Sequence, residues 1–186
     1  MPSTIPMLRG LALAGCLALS FSAPAFAAGE ETDETKPPPK TETTTKCTGG
    51  KVWDKKKKEC VTPNKQSFND DDLYRAAREF AYAGQYDTAI KVLKLARNQD
   101  DPRVLNYLGY ANRKAGRMEL GMSYYRKALQ ADENYILARS YMGQALMEQG
   151  DVEGARVQLV EIRDRGGENS WAYRSLLQSL NGYRTY

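Results

Sequence analysis

The sequence predicts an all-α chain: an α-solenoid of three helix-turn-helix repeats and a C-terminal capping helix, preceded by a signal peptide, a disordered linker and a small cysteine-paired hairpin. Two observations predict it. The turn glycines Gly84, Gly116 and Gly150 stand 32 and then 34 residues apart, and Leu108, Met142 and Leu176 recur every 34. A fixed period of this size marks stacked helical units. Within a unit, apolar and small residues fall at helical spacing, as in Leu73, Ala76, Ala77 and Phe80. The 186 residues also contain no histidine, which excludes Ser-His-Asp and Cys-His catalysis and histidine metal helices together.

Residues 1–27 place Arg9 ahead of an apolar run that ends in Ala25-Phe26-Ala27. Basic start, apolar core and small-x-small cleavage site make a secretory signal peptide, so the chain is read as exported and periplasmic. Leu13-Ala14-Gly15-Cys16 resembles a bacterial lipobox, which makes a lipoprotein anchored through Cys16 the alternative. The apolar run continues past that cysteine, which favours cleavage after Ala27.

Residues 28–46 are rich in Thr, Glu, Lys and Pro and have almost no apolar side chain. Such a segment buries too little surface to offset its ordering entropy, so it reads as a disordered tether. Residues 47–65 follow as the hairpin. In an exported chain Cys16 leaves with the signal peptide, and Cys47 and Cys60 are expected to pair. Gly49-Gly50 permits a tight turn and Val52-Trp53 a short strand. This segment holds Lys51, Lys55, Lys56, Lys57, Lys58 and Lys65 against Asp54 and Glu59, a net charge of +4 that equals the excess of the whole chain. The lysines are either a solvated run or a contact for an anionic cell-wall or lipid surface. The cysteine-paired stretch weakly resembles small carbohydrate-binding modules of the chitin-binding kind, so a polysaccharide-anchored scaffold is the alternative function.

Residues 66–167 carry the repeats. Asp70, Asp71 and Asp72 open a helix, Gly84 turns the chain, and Ala89, Ile90, Leu93 and Ala96 line a second helix expected to stop near Asp101-Pro102. Gly109, Gly143 and Ala77 stand where one helix crosses its partner closely. Residues 168–186 supply the capping helix, with Arg174, Gln178 and Ser179 as its polar face.

The second unit, through Leu105, Leu108-Gly109, Gly116, Tyr125 and Ala128, resembles the tetratricopeptide repeat. The first unit does so through Ala77, Phe80, Gly84, Tyr86, Ala89, Ala96 and Pro102, and the third through Met142-Gly143, Leu146, Gly150 and Ala155. Asn112 and Gly121 depart from the family pattern, which suggests looser packing in the central unit. The resemblance implies a non-catalytic adaptor whose concave groove holds an extended peptide or a partner helix. Carried over by register, the peptide-binding residues are Tyr74, Arg78, Asn106, Tyr110, Arg113, Lys114 and Gln144, flanked by Tyr82, Ser140, Met147, Trp171 and Arg174. This basic, tyrosine-rich set points to an acidic or C-terminal peptide, and the groove residues are expected to face solvent. The acidic residues lie at helix ends and linkers, so no catalytic residue, metal ligand or cofactor is assigned, and nucleic acid is not expected as a partner. Self-association stays open.

Overall fold

The computed structural model describes residue 1 and residues 37–182. Residues 2–27 of the signal peptide, with Cys16, residues 28–36 of the linker and the last four residues lie outside the described residues. Among the described residues no helix is long and apolar enough to cross a membrane.

Seven helices form the array: α2 (Asp70–Tyr82), α3 (Tyr86–Leu93), α4 (Pro102–Lys114), α5 (Met118–Ala131), α6 (Ile136–Glu148), α7 (Val152–Asp164) and α8 (Trp171–Leu180). Each packs on the next, and the first helices of successive pairs also pack together, α2 on α4, α4 on α6 and α6 on α8. No pairing of similar extent joins α3 to α5 or α5 to α7. The row α2, α4, α6, α8 is therefore the inside of the array.

Gly84, Gly116 and Gly150 turn each pair at φ +76°, +82° and +83°. That left-handed conformation suits glycine and costs other residues stability. Asn69 caps α2 by accepting from the amide of Asp72, and Asp101 caps α4 by accepting from that of Arg103. The three aspartates read as a cap have other partners. Asp70 accepts from the amides of Arg97 and Asn98, Asp71 meets Arg103, and Asp72 meets Arg75.

Helix α3 is shorter than expected, ending at Leu93 rather than near Asp101. The Gln99 side chain donates to the carbonyls of Leu93 and Ala96 and so satisfies the helix end early.

The central unit is tight, not loose. A Cβ on Gly109 would stand 2.6 Å from the Tyr125 ring, and one on Gly121 would stand 2.9 Å from the Gly109 carbonyl oxygen. The two glycines let α4 and α5 approach backbone to backbone. Asn112 fits by donating to the Leu108 carbonyl and accepting from Arg117 Nε, at 2.8 and 2.7 Å. Gly143 meets Leu176 of the capping helix, not its own partner helix, with a Cβ-to-Leu176 distance of 2.6 Å.

The disulfide Cys47–Cys60 is present. Strands β1 (Val52–Asp54) and β2 (Glu59–Val61) pair antiparallel, with Trp53 opposite Cys60. The lysine run itself makes the hairpin turn, where Asp54 Oδ1 accepts from the amides of Lys56 and Lys57. Gly49-Gly50 turns the chain earlier, before β1.

Nor is the end of the linker free. Residues 42–45 form a short helix, α1 (Glu42–Thr45). The buried Glu79 carboxylate accepts from the amide and hydroxyl of Thr41, both at 2.7 Å, and from the amide and hydroxyl of Thr44. A charged carboxylate inside a packed helix needs such donors. Val52 is buried in the same core as α2, α3 and α4, so the hairpin closes the N-terminal end of the array instead of hanging from it.

Gly109→Ala is expected to overpack the Tyr125 contact and cost about 1–3 kcal/mol, read by urea denaturation. An unchanged midpoint would count against the register.

Candidate functional site

The inner row is built from aromatic side chains of α2, α4, α6 and α8. Tyr74 meets Tyr107 edge-on at 5.5 Å, Tyr107 meets Tyr141 at 6.2 Å, and Tyr141 meets Trp171 at 6.2 Å. A second line runs from Tyr82 to Tyr110 at 6.0 Å and from Tyr110 to Tyr141 at 5.1 Å. The rings thus link α2, α4, α6 and α8 in order. Edge-on and offset ring pairs of this kind add modest specific stability to the area they bury.

Cations sit among the rings. Arg78 Nε donates to the Tyr107 hydroxyl at 2.8 Å, and the Arg78 guanidinium lies 5.8 Å from the Tyr82 ring. Arg113 lies 5.8 Å from the Tyr110 ring. Its Nη1 donates to the Tyr141 carbonyl at 3.4 Å and stands 3.6 Å from Glu148. Further along, Gln144 donates to the Ser175 hydroxyl at 3.1 Å and the Ser140 hydroxyl at 3.4 Å, while Ser140 donates to the Ala172 carbonyl at 2.8 Å.

The expectation of an open, solvent-facing set is corrected. Tyr74, Arg78, Asn106, Tyr110, Arg113 and Gln144 are all buried, and only Lys114 is half-exposed. Helix α4 is buried on every side from Val104 to Arg113. The rings of neighbouring helices lie over one another and close the row, which single-helix register did not predict. Arg78, Tyr110 and Arg113 are brought together around Tyr107 and Tyr141. Gln144 is held apart from them, with Ser140 and Ser175.

Three residues are left with unanswered polarity. Asn106 is 0% exposed, and neither its Nδ2 nor its Oδ1 has a hydrogen-bond partner. Arg113 likewise keeps Nε and Nη2 without a hydrogen-bond partner, as does the Tyr125 hydroxyl. Buried polar groups in folded proteins are nearly always paired, so each such atom asks for one.

Tyr107 and Tyr141 are the hubs of the row, and the reading by register missed both. Their signal was present: they stand 34 residues apart, one full period.

The stacked helix pairs and the shared inner row define a helical repeat array of the kind that presents a surface along its length. Residues 113–180 match the family described as tetratricopeptide repeat. The family that this segment resembles generally mediates protein–protein interaction and typically serves as a non-catalytic scaffold. No curated protein sequence matches the chain.

Burial pushes the hydroxyls of Tyr107, Tyr110 and Tyr141 well up from the ordinary tyrosine range, and that of Tyr125 up to about 12. Raised folded values mean that the neutral phenols stabilise the fold. This contribution is fully present below about pH 10 and is lost as pH rises toward the folded values. In an alkaline titration, phenolate absorbance should therefore lag behind that of the denatured chain until the helices melt. Full ionisation with helicity intact would contradict the buried row.

Proposed function

We propose that the inner row binds an extended peptide segment of a partner protein, and that the chain does so as an exported adaptor of the bacterial envelope. The observation that carries the reading is Asn106. Its amide offers one donor side and one acceptor side, both unanswered, at the centre of the most deeply buried helix. A peptide group supplies the matching carbonyl and N–H. Arg113 adds to the case. Its Nη1 is held by Tyr141 and Glu148, and the Nε–Nη2 edge left over is the edge that grips a carboxylate with two parallel bonds. Half-exposed Lys114 follows on the same helix. An acidic side chain or a C-terminal carboxylate fits that end of the row.

Access to the row depends on weak links. Tyr82 and Tyr141 share a hydroxyl contact at 3.3 Å, and the bond from Arg113 to the Tyr141 carbonyl, which also joins two helices of the row, is 3.4 Å long. Bonds at this length are near the limit of useful hydrogen bonding. The signal-peptide pattern at residues 1–27 and the Cys47–Cys60 pair support the envelope as the place of action.

The test separates structure from function at one residue. Asn106→Leu removes an unpaired buried amide, so stability should hold or rise, by as much as about 1–3 kcal/mol. Proteins captured from an envelope lysate by the native chain should be lost with the variant. Retention of every partner by a folded Asn106→Leu chain would overturn the reading.

A further inference from the structure

The hairpin turn carries Lys55, Lys56, Lys57 and Lys58, all exposed. Among the described residues none of the four is in an ion pair; the cations that do pair are arginines. The only nearby carboxylate that shapes the turn, Asp54, is engaged with the amides of Lys56 and Lys57. Those amides hold its carboxyl below the usual carboxylate range.

Lys58 is the informative position. At φ +55° it is the one described residue other than glycine in the left-handed region. Glycine takes that conformation freely, whereas a lysine there costs stability. The turn needs no side chain at this position, so what Lys58 contributes is its charge.

The chemistry of the turn selects among anionic partners. Four lysines are mobile point charges without the planar fork that fixes a particular phosphate or carboxylate. The nearby ring, Trp53, is half-buried and already covered by Lys46, whose Nζ lies 5.3 Å from the ring centre. A sugar chain recognised by stacking finds no open platform there. A diffuse array of anionic head groups needs neither fork nor platform, only clustered lysines at its surface. The hairpin base is fixed to the array through the disulfide, the buried Val52 and the Glu79 bonds to Thr41 and Thr44, so the tip is presented by a rigid support.

We infer that the lysine turn of the hairpin docks the protein onto an anionic lipid bilayer. This surface shares no residue with the inner row and stands independently of the peptide-binding reading.

The test is co-sedimentation of the full chain with vesicles of phosphatidylglycerol and phosphatidylethanolamine, compared with phosphatidylcholine vesicles. The anionic-over-zwitterionic difference is the readout, which subtracts any binding by the apolar N-terminal run. The native chain should prefer the anionic vesicles and lose that preference in about 1 M salt, where screening shortens to roughly 3 Å. Lys58→Gly should weaken the preference about fivefold while the melting temperature holds or rises. K55Q/K56Q/K57Q/K58Q should weaken it by on the order of a thousandfold. The charge-matched control K91Q/K94Q/R126Q/K127Q should change it little. Equal loss in the control, native binding by the four-lysine variant, or no preference for anionic vesicles would each overturn the proposal. Pelleting with purified peptidoglycan but not with vesicles would overturn it in favour of a wall polymer.

Discussion

The contact on which the array depends is the approach of α4 to α5 at Gly109, Gly121 and Tyr125. With no side chain at either glycine, the Gly109 carbonyl lies against the backbone of the facing helix and Tyr125 fills the space beside it. That closeness draws α4 inward until helices pack around it on every side. A short helix of this kind does not hold its shape alone in water. Its stability comes from neighbours, and so the position of α4 fixes α2 before it and α6 after it. The inner row inherits its spacing from this one contact.

Burial of α4 brings polar side chains into the interior with it. Asn112 and Arg78 are answered, the first by Leu108 and Arg117 and the second by Tyr107. Asn106 is not answered, and Arg113 is only partly so. Leaving an amide unpaired in a packed interior costs about 1–3 kcal/mol. Asn112 shows that this helix accommodates an asparagine by pairing it within the fold. The unpaired state of Asn106 is thus a property of its place in the row, and it is the feature that separates a binding surface from a packing surface here.

The period of the glycines and of Leu108, Met142 and Leu176 was enough to read the helix pairs, because repetition repeats the same local solution. The disulfide was legible from cysteine count. What register could not supply was the relation between neighbouring helices. Tyr110 and Arg113 look outward on a single helical wheel, yet the rings of α2 and α6 close over them. Composition also misjudged residues 41–46. Threonine and lysine suggest a tether, but four donors from Thr41 and Thr44 meet one carboxylate on α2, an interaction set by a residue 35 to 38 positions away. Nor did composition show that Lys58 adopts a conformation that suits glycine.

The two ends of the array differ in a way that follows from these contacts. At the N-terminal end α1 and the hairpin close the first pair, and Val52 joins its core. At the other end α8 stands without a following partner helix among the described residues. Leu177 occupies the position held by Ala77, Gly109 and Gly143 in the complete pairs, one period of 34 after Gly143, and it is partly exposed. Small residues are needed where a neighbouring helix comes close, α5 at Gly109 and α8 at Gly143. The small residue thus serves a different neighbour in each unit, the paired helix in one and the capping helix in the other, so what repeats is the close approach and not the element that makes it.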